Sequence, residues 1–408
     1  MRVSTSELQQ SSINTVLDQQ SNLLQIQNQL GTGRRILSPS DDPSGATQAL
    51  NLDKAVKTSE QYQRNNEQAE LRLRLEDTVL GETSNVVNRI RELTVQGANA
   101  SQNQESRQAI AAEMRERVDE LQDLANTDDG RGEYLFSGYK TDVEPFVREG
   151  EGVQYRGDQG QRDTQVGPSR RIDSSHSGYE TFMDIPTGNG DFQVSVNEDN
   201  EGRARLANEE VIDDSVDFNG PYEILFEEDA DGDMQFEVVD GDGDPVLDEN
   251  GDPVAGPYQD GAPIEFDGRS VTFEGEPEDG DSFSVDSAPR QSLFQTVDNL
   301  IEAFDSRADD GADRAKLETE IYEALENMDA ALGSLNLTRA ETGARLNALE
   351  SELRANEAAR LDLETELSRV EDLNYAEAIS RFQQQQAGLQ AAQQSYAQIQ
   401  NLSLFNYI

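Results

Sequence analysis

Apolar residues recur along this chain with two different periods, and the change of period divides it. Near the start, Ile13, Val16, Leu23 and Leu30 fall on one heptad stripe, with Gln20 and Gln27 at the intervening positions. Near the end, Phe382, Leu389 and Tyr396 stand seven apart. Heptad spacing keeps side chains on one side of a helix, so both chain ends read as amphipathic helices. A long helix is predicted from about Gly45 to Asn99, with Val79, Val86 and Leu93 seven apart and Ile90 in the companion seam. Asp42 is its expected N-cap and Pro43 its first helical residue. A second helix, from about Glu105 to Ala125, places Ile110, Met114, Val118, Leu121 and Leu124 on one face and stops at NTDDGRG.

The return half repeats the helical period. Leu293, Phe294, Val297, Leu300, Ile301 and Phe304 mark a short amphipathic helix, and a long heptad runs from Leu325 to about Asn374. One seam holds Leu325, Leu332, Leu346, Leu353 and Leu367; the other holds Met328, Leu335, Leu349, Leu363 and Val370. Arg339, Thr342, Asn356, Arg360 and Asn374 interrupt these seams, as register-fixing polar residues do. Fifty residues of helix extend roughly 75 Å. In the middle the period drops to two: YEILFEE, MQFEVVD, APIEFDG, RSVTFEG and DSFSVDS alternate apolar and polar residues between turn-forming Gly, Pro, Asp and Asn. The expected fold is mainly α with an inserted antiparallel β domain. A long antiparallel, coiled-coil-like helical bundle is built from both termini, and the β domain faces outward.

Charge follows the same division. The chain carries a net charge of −49; residues 141–290 hold 9 basic and 40 acidic side chains, against 15 and 21 in 1–140 and 9 and 21 in 291–408. The ends are nearly neutral, with Asp18 the sole charge between Glu7 and Arg34 and none after Arg381. A thin, uncharged amphipathic end barely offsets its own ordering entropy, which points to helices that pair and then bury against other copies. The acidic surface repels phosphate backbones and anionic membranes, so no nucleic-acid partner is expected. Apolar runs are too short for a membrane span, so no membrane insertion is expected either. Dense Asp and Glu with only four lysines fit a surface kept hydrated in concentrated salt. The first twenty residues lack the apolar middle of a cleavable secretory signal, which leaves open export without one.

Candidate chemistry is sparse. Without cysteine there are no disulfides or thiolate metal sites, and without tryptophan sugar-stacking platforms are disfavoured. The single histidine, His176, lies in RIDSSHSGYE and reads as a solvated loop residue. Carboxylates are too abundant for any pair to stand out as general acid and base. No catalytic residue, metal ligand set or cofactor is therefore expected. The segments DADGD and DGDGD invite a calcium reading, yet an EF-hand loop from Asp229 needs glycine where Met234 stands, and one from Asp240 meets Pro245. Tight hairpin turns account for them better. Arg34 and Arg35 are placed to pair with Asp41 and Asp42.

Several stretches resemble the flagellin family, and within it the kind of subunit that joins hook to filament. They are the opening MRVST, QLGTGRRILSPSDDPSGA, YLFSGYKTDVEPF, RAETGARLNALE and the terminal EDLNYAEAISRFQQQQAGLQAAQQSYAQIQNLSLF, with GEPEDGDSFSV similar to the family's inserts. The resemblance implies a terminal helical inner domain of 1–42 with 375–408, a helical bundle of 43–145 with 289–374, and an acidic β-rich outer domain of 146–288. It implies a structural subunit that assembles through Ile13, Val16, Leu23, Leu30, Phe382, Leu389 and Tyr396, although the same heptads equally serve to staple the subunit's own two ends. The implied partners are copies of itself, an adjacent hook-associated protein, flagellin and an export chaperone, with export to the extracellular flagellum and no cleaved signal. A bulk filament flagellin is the nearest alternative; a calcium-binding secreted adhesin is the alternative of another class.

Overall fold

We describe a computed structural model of the chain covering residues 5–99, 102–150, 152–248, 250–306 and 311–401. By its internal contacts the chain forms two compact units. The first comprises residues 1–66, 166–168 and 351–408, the second 67–165 and 169–350.

Among the described residues the α-helices are α1 (Thr5–Thr32), α2 (Pro43–Ala98), α3 (Gln104–Ala125), α4 (Leu293–Asp305), α5 (Gly311–Glu371) and α6 (Tyr375–Asn401). Their starts follow local chemistry. Asp42 Oδ1 accepts from the Gly45 N–H at 2.9 Å, satisfying one of the free donors at the head of α2. The Gly45 N–H and the Arg35 guanidinium hold the Asp42 carboxyl below its usual range. Asn103 and Ser292 cap α3 and α4 in the same way. Helix α5 begins fourteen residues before the expected Leu325 and ends just short of Asn374. Its early turns bury Ala315, Leu317, Ile321 and Ala324, a seam half made of alanine and thus faint in sequence.

In the first unit, α1 packs against α6. The segments that lead out of α1 and into α6 are tied by backbone hydrogen bonds: Arg35 N–H to the Glu371 carbonyl at 2.7 Å and Leu373 N–H to the Gly33 carbonyl at 2.9 Å. Gly33 has φ +75, and a Cβ there would stand 2.9 Å from the Tyr375 hydroxyl, so glycine is required twice over.

In the second unit, one core gathers α3, α4, the later turns of α2 and the earlier turns of α5. Both sides of α2 contribute, Val79, Val86 and Leu93 on one and Leu80 and Val87 on another. Phe136, Phe146, Phe182 and Phe294 close the core edge-to-face or tilted, with Phe146 and Phe294 ring centres 5.6 Å apart. Strands β1 (Phe146–Glu149) and β2 (Gly152–Tyr155) form a hairpin beside it. A second short pair joins β3 (Asp163–Gln165) and β4 (Arg171–Asp173), with a single π-turn at Tyr179–Met183 following.

The other core of this unit lies between two antiparallel sheets. Strand β5 (Ile185–Pro186) pairs with β14 (Arg290–Gln291) at the base. Strands β6 (Phe192–Val196), β8 (Tyr222–Glu228), β9 (Met234–Asp240), β10 (Ala255–Pro257) and β13 (Ser282–Ser287) run in the order β10-β9-β8-β13-β6. Strands β7 (Arg205–Val211), β11 (Pro263–Phe266) and β12 (Arg269–Glu274) make a three-stranded sheet, β11-β12-β7. Alternate residues point inward, so Tyr222, Ile224 and Phe226 of β8 meet Val271 and Phe273 of β12, and Phe273 lies 4.3 Å from Phe283 centre to centre. All five strands read from alternation are present; β6, β7, β10 and the short paired strands are additional.

Candidate functional site

The seven residues singled out from the sequence all lie on α1 or α6, and the helices sort them. On α1, Val16, Leu23 and Leu30 are half-buried, and Ile26, which the sequence reading passed over, is 7% exposed. On α6 the matching positions are Ala378, buried, and Phe382, Leu389 and Tyr396, half-buried. Spacings of three and four residues place each set on one helix face, and Gly388 and Gln19 stand close where the helices meet. These positions therefore line the seam between the subunit's own two ends. Ile13, three residues before Val16, lies at the edge of this face at 37% exposure. It is exposed together with Leu17 (56%) and Leu24 (54%), and Ile379 is exposed on α6. The inner seam is thus bordered by an exposed apolar row that runs from Ile13 at its margin through Leu17 and Leu24.

The connection between α1 and α2 holds its own polar network. Arg35 Nη1 is 3.2 Å from Asp42 Oδ2, as expected. Arg34 departs from expectation: it reaches Glu371 at 3.6 Å, while Asp41 Oδ2 accepts from the Leu37 and Ser38 N–H groups. Both ion pairs are substantially exposed and contribute little to stability.

Two of the seam-breaking polar residues have specific tasks. The buried Asn356 donates Nδ2 to the Val166 carbonyl at 2.7 Å, and Asn66 of α2 donates to the same carbonyl at 3.2 Å. Ser59 donates to the Asn356 carbonyl at 3.2 Å. A carbonyl from residues 166–168 is thus clamped from both long helices. Asn374 instead caps α6, accepting from the Glu377 N–H.

His176 corrects the sequence reading. It sits in a loop but is 4% exposed, with Nδ1 2.6 Å from Glu76 Oε1 and Nε2 3.3 Å from Glu341 Oε2. Glu76 Oε1 also accepts the His176 backbone N–H at 3.1 Å. The histidine staples its loop to α2 because a buried carboxylate needs a partner. No local pattern could reveal this, since the two residues stand one hundred positions apart.

The acidic segments form turns. Asp229 Oδ1 accepts from the Asp231 and Asp233 N–H groups in the β8–β9 hairpin. Asp240 does the same with Asp242 and Asp244, and Asp248 with Asn250 and Asp252. Each carboxylate is occupied with its own loop's backbone.

Similarity to known proteins follows the same division of the chain. The bacterial flagellin N-terminal helical region matches residues 3–141, and the bacterial flagellin C-terminal helical region matches residues 325–408. These two matches put the chain among flagellin-like structural subunits. Over 406 residues it is 25% identical to flagellar hook-associated protein 3 of Escherichia coli (strain K12), covering 99% of each chain. The crystal structure of flagellar hook-associated protein 3 from Legionella pneumophila superposes with a TM-score of 0.75 at 31% identity, covering 78% of this chain and 98% of that one. That of the flagellar junction protein FlgL from Legionella pneumophila gives 0.71 at 31% identity, covering 80% and 100%. The chain belongs to the flagellin family, in the group of flagellar hook-associated protein 3.

Proposed function

We propose that this chain is a structural subunit of the bacterial flagellum that joins hook to filament, assembling helically through its N- and C-terminal helices. The observation that carries the proposal is the outer apolar stripe of Ile13, Leu17 and Leu24 on a helix whose first 28 described residues hold only two charges, Glu7 and Asp18. Isolated exposed leucines need no explanation, but an aligned row on a nearly uncharged helix fits a surface covered by another copy. Similarity to junction proteins along nearly the whole chain supports the same role.

In this reading Ile13 packs directly between copies. Val16, Leu23, Leu30, Phe382, Leu389 and Tyr396 shape the helix pair that presents the stripe, and contribute to packing between copies at their exposed edges. The division into a terminal helical domain (1–42 with 375–408), a helical bundle (43–145 with 289–374) and an acidic β-rich domain (146–288) is part of the proposal. So are a non-catalytic role, contacts with an adjacent hook-associated protein and with flagellin, and chaperone-assisted export to the outside of the cell. The acidic surface further implies a high-salt setting; assembly that is strong in dilute buffer and lost in concentrated salt would contradict that part.

Removing residues 383–408 deletes most of α6 and uncovers the inner seam of α1. The truncated protein is expected to keep a folded second unit by circular dichroism, yet to leave cells without filaments. Filaments of normal length on those cells overturn the proposal. Counting the intact chain in sheared flagella by quantitative mass spectrometry separates a junction subunit, present in few copies, from a bulk flagellin.

A further inference from the structure

The first turns of α5 meet the β-sheets of the same unit along a polar seam. Lys316 donates Nζ to the Glu198 carbonyl, and Glu318 lies 3.2 Å from Arg205 Nε. Thr319 Oγ1 accepts from the Leu206 N–H at 3.2 Å, and the Tyr322 hydroxyl accepts from the Glu209 N–H at 3.3 Å. Gln193 donates Nε2 to Glu323 at 3.2 Å, and Asn327 Oδ1 accepts from the Gly188 N–H at 2.6 Å. Residues 316, 319, 323 and 327 share one helix face, so a single side of α5 grips the backbone around β5, β6 and β7.

Among the described residues, two carboxyl groups in this seam have no cation paired with them. Glu209 of β7 is buried and receives the Val194 N–H at 3.3 Å; Glu323 borders a cavity of about 500 Å³ between α4, α5 and β6, lined also by Glu198, Glu302 and Glu320. The nearby cations are engaged elsewhere: Arg205 with Glu274 and Glu318, Arg91 with Asp329, Lys316 with a carbonyl. Glu320, Glu326 and Glu302 add like charge from α5 and α4. An ionised Glu209 is short of both water and a cation, and an ionised Glu323 has the Gln193 amide for a partner but faces the like charge of Glu209 and Glu320.

We propose that the docking of α5 on β5–β7 is a proton-operated latch: Glu209 and Glu323 hold the seam closed when protonated and loosen it when ionised. Burial pushes the Glu209 carboxyl up to about 7, against the Val194 N–H, with Glu326 adding to the rise. Burial pushes Glu323 up to about 8, against the Gln193 amide, with Glu209 and Glu320 adding to it. Both values exceed the 4.5 of a free glutamate, so the docked seam binds extra protons. The stability those protons supply is complete below about 4.5 and is lost as pH rises through about 7 and 8. Raising the pH therefore weakens this seam, while the chain's carboxylates that accept backbone hydrogen bonds gain from it.

Hydrogen exchange on the full chain tests the latch, with rates corrected for the intrinsic pH dependence of exchange. The reporters are the amides of Gly188 and Leu206, which bond to α5; the reference is the β8–β13 ladder. From pH 6 to pH 9 the reporters are expected to lose about tenfold or more protection relative to the reference. The loss should persist in 2 M KCl, which screens surface repulsion. It should vanish in the double variant E209Q/E323Q. Equal protection of the wild type at both pH values overturns the latch, as does a loss abolished by salt or one retained in the double variant.

Discussion

The two units of this molecule stabilise themselves by different means. In the unit that contains the terminal helices, the buried apolar side chains are Ile26, Ala49, Val56, Val166 and Ala378 among the described residues. In the other, Phe136, Phe146, Phe182, Phe192, Phe226, Phe273, Phe283, Phe294 and Phe304 are all removed from water. Burying one isoleucine contributes about 2 kcal/mol. Fixing one residue's backbone costs about 1–2 kcal/mol. A pair of helices whose shared seam buries one isoleucine and one alanine therefore holds little order of its own, and its outer stripe of Ile13, Leu17 and Leu24 is where further burial can come from. The aromatic unit needs no such help. Self-sufficiency and readiness to assemble occupy different parts of one chain.

Substitutions can sharpen or break that contrast. The largest effect is expected from Phe294→Ala, which empties a site bounded by Phe146 and Phe182. A cavity of that kind costs about 3–5 kcal/mol, and the major thermal transition should fall accordingly. A cost below about 1 kcal/mol would mean the aromatic core is not what holds the unit.

Next comes His176→Ala, which leaves Glu76 buried without its partner at 2.6 Å. Removing a buried group's hydrogen-bond partner costs about 1–3 kcal/mol, and urea denaturation at neutral pH should show the loss. Smallest is Asn356→Ala, which removes one of two donors to the Val166 carbonyl at a cost of about 1 kcal/mol. Because Asn66 remains, only faster proteolysis near residues 166–168 is expected, with the major transition unmoved. A shift of that transition as large as that of Phe294→Ala would dissolve the distinction between the units.

The same contrast explains what could be read from the sequence. Long-period features were legible: the Asp42–Pro43 start of α2, the two seams of α5 and the five alternating strands all appear where the pattern puts them. Strands of two or three residues, such as β3 and β5, offer too few alternations to register. The first turns of α5 rely on Ala315 and Ala324, which read as neutral. Pairings across the chain left no trace at all: His176 with Glu76, Asn356 and Asn66 with Val166, Arg34 with Glu371. At the terminal helices the heptad located the apolar residues but not their direction. Val16 and Ile13 lie three apart, yet Val16 is half-buried while Ile13 opens onto the exposed row of Leu17 and Leu24.

The account rests on the terminal helices depending on neighbouring copies for their order, and hydrogen exchange on the isolated monomer and on assembled flagella compares the two states directly. Amides of residues 10–32 and 375–398 should exchange quickly in the monomer and become strongly protected on assembly, while those of β8, β12 and β13 stay protected in both. Equal, strong protection of the terminal helices in the lone monomer would contradict it.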